Sequence, residues 1–229
     1  LADLGAEVIK IEQPGAGDPV RRVGPFHHDE PDLEKSGLFL FLNTNKRSIT
    51  LDLASEKGKE LLKQLIKNAD VLVENVRPGT MRRWGLDYEA LKPHNPGLVY
   101  CAISGFGQDG PWADRPAHDI DLLAISGYLQ AQKEIEGRPW APPVLISDLA
   151  SAHYAAIAVL AALVRRGVTG AGAYIDLSMA DATVALLAPE IDRVGSGGVK
   201  GQEDDKPNVT FIPHYGAFEC ADGRWFSLG

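Results

Sequence analysis

The sequence is poor in cysteine and has no long hydrophobic segment. Cys101 and Cys220 are the two cysteines among its 229 residues, and they lie far apart, without the short spacing of zinc ligands. The longest nearly apolar run, Tyr154 to Val164, is well short of the roughly 20 residues of a membrane-spanning helix. A disulfide scaffold and a membrane protein are therefore not expected, and a reduced, cytoplasmic protein is the simplest interpretation.

Positive charge is also scarce. The chain has 23 Lys and Arg against 31 Asp and Glu, which gives a net charge of −8. Its basic residues cluster only in pairs, at 46–47, 82–83 and 165–166. Because nucleic-acid surfaces are strongly basic, no nucleic-acid partner is expected. Small basic sites on an acidic protein suit a compact polyanion, such as a phosphorylated cofactor.

Several common catalytic motifs are missing. No Walker sequence and no G-x-S-x-G occurs. Gly105, Gly107 and Gly110 have the spacing of a dinucleotide fingerprint, but a proline-containing loop follows them rather than a clear helix. Glu12 ends a predicted strand, as a ribose-binding acid would, yet no glycine motif accompanies it. The histidines show no metal-ligand spacing, so nicotinamide, P-loop, serine-hydrolase and metal chemistry are not favoured.

Strand-like and helix-like segments alternate along the chain. Strands are predicted at 7–12, 48–53, 71–74, 98–103 and 173–178, and the longer helices at 55–68, 148–166 and 179–187. Connections of this length produce parallel β-α-β units. We therefore predict an α/β fold with a parallel sheet and helices on both of its faces, and we expect the long helix to end at Gly167.

The domain organisation is predicted from composition. Residues 1–194 form the predicted large domain, and the Gly-rich, charged segment 195–207 is the best linker candidate. Residues 208–229 would begin a smaller second domain, with two strand-like runs that form a hairpin around 221–223. Since the chain starts within an apparent helix and stops within this second unit, we expect it to be a fragment.

Ligands of open α/β sheets bind beyond the carboxyl ends of the strands. That rule selects 75–80, 104–110 and the loop before Asp148. Arg77 follows a strand, beside an amide-rich turn that opens a helix and favours an anion, and Arg83 lies one to two turns further on. A solvated arginine pair is an equally good interpretation.

His118 and Asp148 are the catalytic candidates. His118 lies where a proline-bearing loop gives way to an apolar helix. Asp148 lies at the start of the long helix, where the helix dipole stabilises the charged carboxylate. Either residue could instead have a purely structural role, as a helix-capping residue or a packed histidine.

The same segments carry a resemblance to a known superfamily. They are LADLGAEVIKIEQPGAGDPVR, LNTNKRSITLDL, DVLVENVRPGTMRRWGLDYEALKPHNPGLVYCAISGFGQDGP, AHDIDLLAISG, LISDLASAHYAAIAVLAAL and TGAGAYIDLSMADA. In this order they resemble the family III coenzyme A transferases and the α-methylacyl-CoA racemases (CaiB/BaiF-like proteins). The resemblance implies a Rossmann-like large domain, a smaller second domain and two interlocked chains. It also implies that a first strand and the rest of the small domain are missing here.

Coenzyme A would bind as part of the substrate, and no prosthetic group is implied. By position, the resemblance places the nucleotide and its phosphates against Leu51, Asn75, Val76, Arg77 and Arg83, and the pantetheine along Gly105, Phe106 and Asp119. Gln13 stands where the transferases often have an arginine.

The resemblance implies two chemistries for Asp148. In the transferases, the matching aspartate attacks the acyl-CoA thioester and forms an acyl-aspartyl intermediate. In the racemases it exchanges the α-proton opposite a histidine, and His118-Asp119 resembles the racemase pair. Racemisation needs one proton carrier on each face of the α-carbon and donors for the enolate, for which the amides at the start of the long helix are the candidates.

Our leading hypothesis is therefore an α-methylacyl-CoA racemase with His118 and Asp148 as its proton carriers. The alternative is a family III CoA-transferase that moves CoA between carboxylic acids through Asp148. A third hypothesis is a non-catalytic CoA-binding or assembly subunit.

Overall fold

The structure is a computed structural model that describes residues 1–195 and 216–228. Its strands are β1 Val8–Glu12, β2 Lys46–Thr50, β3 Val71–Glu74, β4 Val99–Ser104, β5 Ala173–Ser178, β6 Gly216–Glu219 and β7 Trp225–Leu228. Its α-helices are α1 Gly37–Leu42, α2 Glu56–Ile66, α3 Thr80–Trp84, α4 Tyr88–Leu91, α5 Asp119–Ser126, α6 Tyr128–Glu136, α7 Ile146–Thr169, α8 Met179–Ala185 and α9 Ala188–Gly195.

Strands β1 to β5 pair in parallel, in two sheets of order β1-β2 and β3-β4-β5. Side chains of β4 alternate between the two faces of the larger sheet. Tyr100 packs in one buried cluster with Leu62 and Ile66 of α2. Cys101 packs in another cluster with Val159 of α7. Helices therefore cover both faces, and the predicted α/β fold is confirmed.

The turn before α2 corrects one predicted boundary. The strand expected at 48–53 ends at Thr50, because the chain turns at Asp52 to reach the N-cap Ser55. Ser55 Oγ accepts the N–H of Gly58, and a Cβ at Gly58 would lie only 1.9 Å from the Asp52 carbonyl oxygen. Only glycine fits this close approach between turn and helix.

Helix α7 is longer than predicted. It begins at Ile146 and passes through Gly167, and it ends where Gly170 adopts a left-handed φ of 72°. The prediction that Gly167 ends the helix is wrong, because an interior glycine costs only about 1 kcal/mol against alanine. The helix is also long and apolar enough to cross a membrane, a property that it shares with core helices. Here Ala155 and Val159 pack against the sheet.

The C-terminal residues form the predicted hairpin. Strands β6 and β7 pair antiparallel, with Gly216 opposite Leu228. The turn between them contains Gly223 at a φ of 78°. Almost all of the predicted linker 195–207 lies outside the described residues, and the division into a large and a small domain stays a prediction.

Candidate active site

The carboxylate of Asp119 joins helix α5 to the first turn of α7. Its Oδ1 accepts the backbone N–H of Ser147 at 2.7 Å and that of Asp148 at 3.3 Å. Amides in the first turn of a helix have no acceptor within their own helix. Asp119, which is 8% exposed, therefore caps α7 from a neighbouring helix and lies beside Asp148.

A second layer of hydroxyl groups supports this turn. Ser147 Oγ and Thr183 Oγ1 of helix α8 lie 2.6 Å apart, and Ser151 Oγ donates to the Ser147 carbonyl at 2.6 Å. All three residues are buried, Ser147 completely. Because buried hydroxyl groups are costly unless paired, this arrangement fixes how α7 and α8 meet.

The side chain of Asp148 is exposed, although the helix turn that carries it is held by buried hydrogen bonds. Partial desolvation raises the pKa of its carboxyl group, the negative charge of Asp119 raises it further, and His118 acts in the opposite direction. The net direction is therefore opposite to the one that the helix dipole alone predicts for Asp148. Desolvation is the larger cause, and Asp119, which accepts amides at the positive end of α7, adds to it.

His118 is the N-cap residue of α5, and its side chain is exposed. Its backbone N–H donates to Asp121 Oδ2 at 2.9 Å. His118 directly precedes Asp119, and it is close enough to Asp148 to lower the pKa of that carboxyl group. The structure thus brings together His118, Asp119 and Asp148.

The amides at the start of α7 do not form the predicted enolate-binding site. Those of Ser147 and Asp148 donate to Asp119, and that of Leu149 donates to the Leu145 carbonyl at 3.0 Å. The hydrogen atoms of these three amides are already used, so the prediction is wrong for them.

The loop after β4 reaches the same region. A Cβ at Gly105 would lie 3.3 Å from that of Ala117, directly before His118, and the Gly105 carbonyl accepts the N–H of Ala180 at 3.0 Å. Phe106 packs edge-on against Trp112, with 5.3 Å between ring centroids. Gly105 therefore borders the catalytic candidates. The pantetheine path along it stays a prediction.

The predicted nucleotide-binding residues lie at the ends of β2 and β3. Leu51 directly follows β2, and its N–H donates to the Glu12 carbonyl at 3.0 Å. Asn75 and Val76 directly follow β3, and the N–H of Val76 donates to Glu74 Oε2 at 2.8 Å. These contacts do not join this group to Asp148, and the binding role of its members stays a prediction.

The two arginines have different surroundings. Arg77 is exposed, whereas Arg83 bends back and donates to Thr80 Oγ1 at 2.8 Å. Helix α3, which begins after Arg77 and contains Arg83, has only five residues. Both guanidinium groups are exposed near the end of β3, and the anion site stays a prediction.

A separate apolar groove of about 420 Å³ runs along α7. Among its lining residues are Leu149, Tyr154, Ile157 and Leu186, but not Asp148. The groove therefore lies on a side of the helix that Asp148 does not face.

Sequence reasoning did not identify Ser147, Ser151 and Thr183. Ser147 and Ser151 are four residues apart, so they share one face of α7. Two hydroxyl residues on one face of an otherwise apolar helix were the available signal. Thr183 has no such pattern, because it becomes a partner only when α8 packs against α7.

Both the sequence and the fold of this chain are similar to those of known proteins. The sequence profile of CoA-transferase family III matches residues 1–229. The chain belongs to this family. This match confirms the resemblance. The Rossmann-like α/β fold is also confirmed, because a crystal structure of a CaiB/BaiF family protein from Brucella suis superposes with a TM-score of 0.83. That structure is 35% identical, and the match covers 98% of this chain and 59% of the other.

Curated relatives carry transferase names. The acetyl-CoA:oxalate CoA-transferase of Acetobacter aceti is 43% identical over 192 residues, which are 82% of this chain and 47% of the relative. The succinyl-CoA:glutarate CoA-transferase of Mus musculus is 38% identical over 228 residues, which are 97% of this chain and 50% of the relative. The chain thus spans about half the length of these relatives, and their names favour the transferase alternative over racemisation.

Proposed function

We propose that this protein transfers coenzyme A between small carboxylic acids, with Asp148 as the nucleophile. The observation that carries the proposal is an exposed carboxyl group on a helix turn fixed by buried hydrogen bonds. A raised pKa makes its ionised form more basic, and hence more nucleophilic, at a pH above that pKa. The transferase names of the relatives give independent support.

The reaction begins when a carboxylate oxygen of Asp148 attacks the thioester carbonyl carbon. The carbon–sulfur bond breaks, the thiolate of CoA leaves, and a mixed anhydride joins the acyl group to Asp148. The acceptor carboxylate attacks the Asp148 carbonyl carbon of this anhydride and displaces the first acid. The thiolate then attacks the acceptor's carbonyl carbon, which releases the new thioester and the free Asp148 carboxylate. No oxidant or reductant is needed.

We propose small dicarboxylic acids as the exchanged substrates, because the relatives are named for oxalate, succinyl-CoA and glutarate. The exposed groups of Asn75, Arg77 and Arg83 would bind the nucleotide of CoA at the ends of the strands. The acyl end would then lie beside Gly105 and Asp148. An interlocked homodimer and a cytoplasmic location also remain proposals.

The test is to incubate the protein with succinyl-CoA and glutarate or oxalate, and to follow the CoA thioesters by chromatography. We expect a new thioester that requires the acceptor acid, and its loss in Asp148→Asn. Turnover of a CoA thioester without any acceptor would contradict the proposal.

Racemisation stays the second candidate, because His118 is close enough to Asp148 to affect the pKa of that carboxyl group. The same protein in D₂O with a 2-methylacyl-CoA distinguishes the two reactions. Deuterium uptake at the α-carbon, abolished by His118→Ala, would indicate the racemase. If neither activity responds to changes at His118 or Asp148, a non-catalytic CoA-binding role is indicated.

A further inference from the structure

We infer that Asp119 is a positioning residue for Asp148: its carboxylate anchors the first turn of α7 and supplies the main fixed charge that acts on the neighbouring carboxyl group. The effect of Asp119 on catalysis rests on the proposed function, whereas its anchoring of α7 does not. The resemblance implied a contact between Asp119 and pantetheine, whereas the contacts of its carboxylate point inward, to the helix that carries Asp148.

Two helix N-termini meet at the buried side chain of Asp119. It is the first residue of α5, directly after the N-cap His118, and it accepts two amides at the N-terminus of α7. Both helix dipoles present their positive ends here. Amide donors and helix dipoles both favour a negative charge at this position.

The two hydrogen bonds restrain Asp148 through its backbone. One comes from its own N–H and the other from that of Ser147, whose hydroxyl group is paired with Thr183. The backbone of Asp148 is therefore held between α5 and α8, whereas its side chain is left to face solvent. A reacting group gains from such restraint, because small displacements of reacting atoms are costly in rate.

The same contact sets the electrostatic environment. Asp119 is the principal charge that raises the pKa of Asp148, and His118 opposes it. The elements packed against α7 carry three other acids. Asp121 accepts the His118 N–H, Asp181 lies in the first turn of α8, and Asp176 accepts the Gln108 N–H.

The test changes the charge of Asp119 and preserves its shape. Asp119→Asn keeps a carbonyl oxygen that can accept both amides. We expect the pKa of Asp148, followed by the ¹³C chemical shift of its carboxyl carbon and assigned with Asp148→Asn, to fall by about half a pH unit or more. An unchanged pKa in the folded variant would overturn the inference.

Asp121→Asn is the matched control, because Asp121 also caps a helix N-terminus, two residues further along α5. It should leave the pKa of Asp148 within about 0.2 of the original value, since its carboxylate does not contact α7. An equal shift in both variants would show a general charge effect and would contradict a specific role for Asp119.

Asp119→Glu tests the anchoring separately, by hydrogen exchange of the Ser147 and Asp148 amides. The longer side chain keeps the charge but displaces the acceptor, so we expect both amides to exchange at least about tenfold faster. Unchanged protection would contradict the anchoring role. None of these measurements needs turnover, so they distinguish failure of this inference from failure of the proposed function.

For an active enzyme, Asp119→Asn should shift the acidic limb of the kcat/KM profile to lower pH, and lower kcat more than it raises KM. A uniform loss of activity at every pH would indicate a merely structural cap and would contradict the electrostatic role.

Discussion

Glu12 and Asp148 are both carboxylates at the end or start of a regular element, but their surroundings are opposite. Glu12 ends β1 and accepts two hydrogen bonds from Arg21, at 2.7 and 2.9 Å, and one from Ser48 at 2.6 Å. The guanidinium group of Arg21 lowers the pKa of Glu12 to about 2. Asp148 is exposed, has an acid as its neighbour, and has a raised pKa.

The difference separates a structural carboxylate from one whose side chain is available to react. Every oxygen of Glu12 is occupied, and the residue is 5% exposed, so neither ribose nor any other ligand can reach it. The side chain of Asp148 faces solvent, and the fixed contacts at its position involve the backbone. The position of a carboxylate after a strand or before a helix therefore does not reveal its role. The hydrogen-bond partners of its oxygen atoms do reveal it.

The largest expected effect is on catalysis. Asp148→Asn removes the nucleophile and nearly preserves the shape, so transfer should fall by on the order of 10³-fold or more. Glu12→Gln, in protein that remains folded, should change kcat far less. Steady-state rates of both variants at one pH check the comparison. A Glu12→Gln variant that is folded but as inactive as Asp148→Asn would contradict the distinction between the two carboxylates.

The next effect is on stability. Arg21→Met leaves Glu12 buried and unpaired, which should lower the free energy of unfolding by about 3–5 kcal/mol. Arg47→Met is the matched control, because the Arg47–Glu7 pair is exposed, and its loss should cost at most about 1 kcal/mol. Urea denaturation measures both, and equal losses would contradict the structural role of the buried pair.

The third effect is the response to acid. A folded-state pKa of about 2 lies below the ordinary 4.5 of Glu12, so its ion pair stabilises the fold above pH 4.5 and is lost as pH falls towards 2. The unfolding free energy should decline over this range by up to about 3 kcal/mol from this group. Glu12→Gln should flatten the decline, measured by urea denaturation at successive pH values. An unaltered slope would contradict the pKa assignment.

The smallest effect concerns the proposed nucleotide site. Arg77→Ala and Arg83→Ala each remove an exposed positive charge, which should raise KM for the CoA thioester about two- to tenfold and leave kcat nearly unchanged. Lys92, an exposed cation at the C-terminal end of α4, provides the control variant Lys92→Ala for a general charge effect. Equal changes in KM for all three variants would indicate that Arg77 and Arg83 are a solvated arginine pair and not a nucleotide site.

The sequence predicts the fold better than it predicts the site. The spans of β3 and β5 follow from apolar runs between turn residues, and the structure confirms both. The end of α7 was misplaced, because the pattern does not show which of Gly167 and Gly170 adopts a left-handed φ. That choice depends on the contacts at the end of the helix.

The site shows the same limit more sharply. His118 and Asp148 were chosen from helix starts and the resemblance, and the structure links their helices through Asp119, which directly follows His118 and accepts the Asp148 N–H. The cap from Asp119 could not be predicted, because it joins residues 28 positions apart through the packing of α5 on α7. The pKa of Asp148 is raised first by desolvation and then by the charge of Asp119, and both depend on this packing, so the sequence alone suggested the opposite sign.

The most direct measurement of the central claim is to locate the covalent intermediate. The protein is incubated with succinyl-CoA, treated with hydroxylamine, digested and examined by mass spectrometry. The account predicts a hydroxamate on the peptide that contains Asp148, at that residue, and none in Asp148→Asn. Modification of another carboxylate, or turnover with no modification at Asp148, would contradict it.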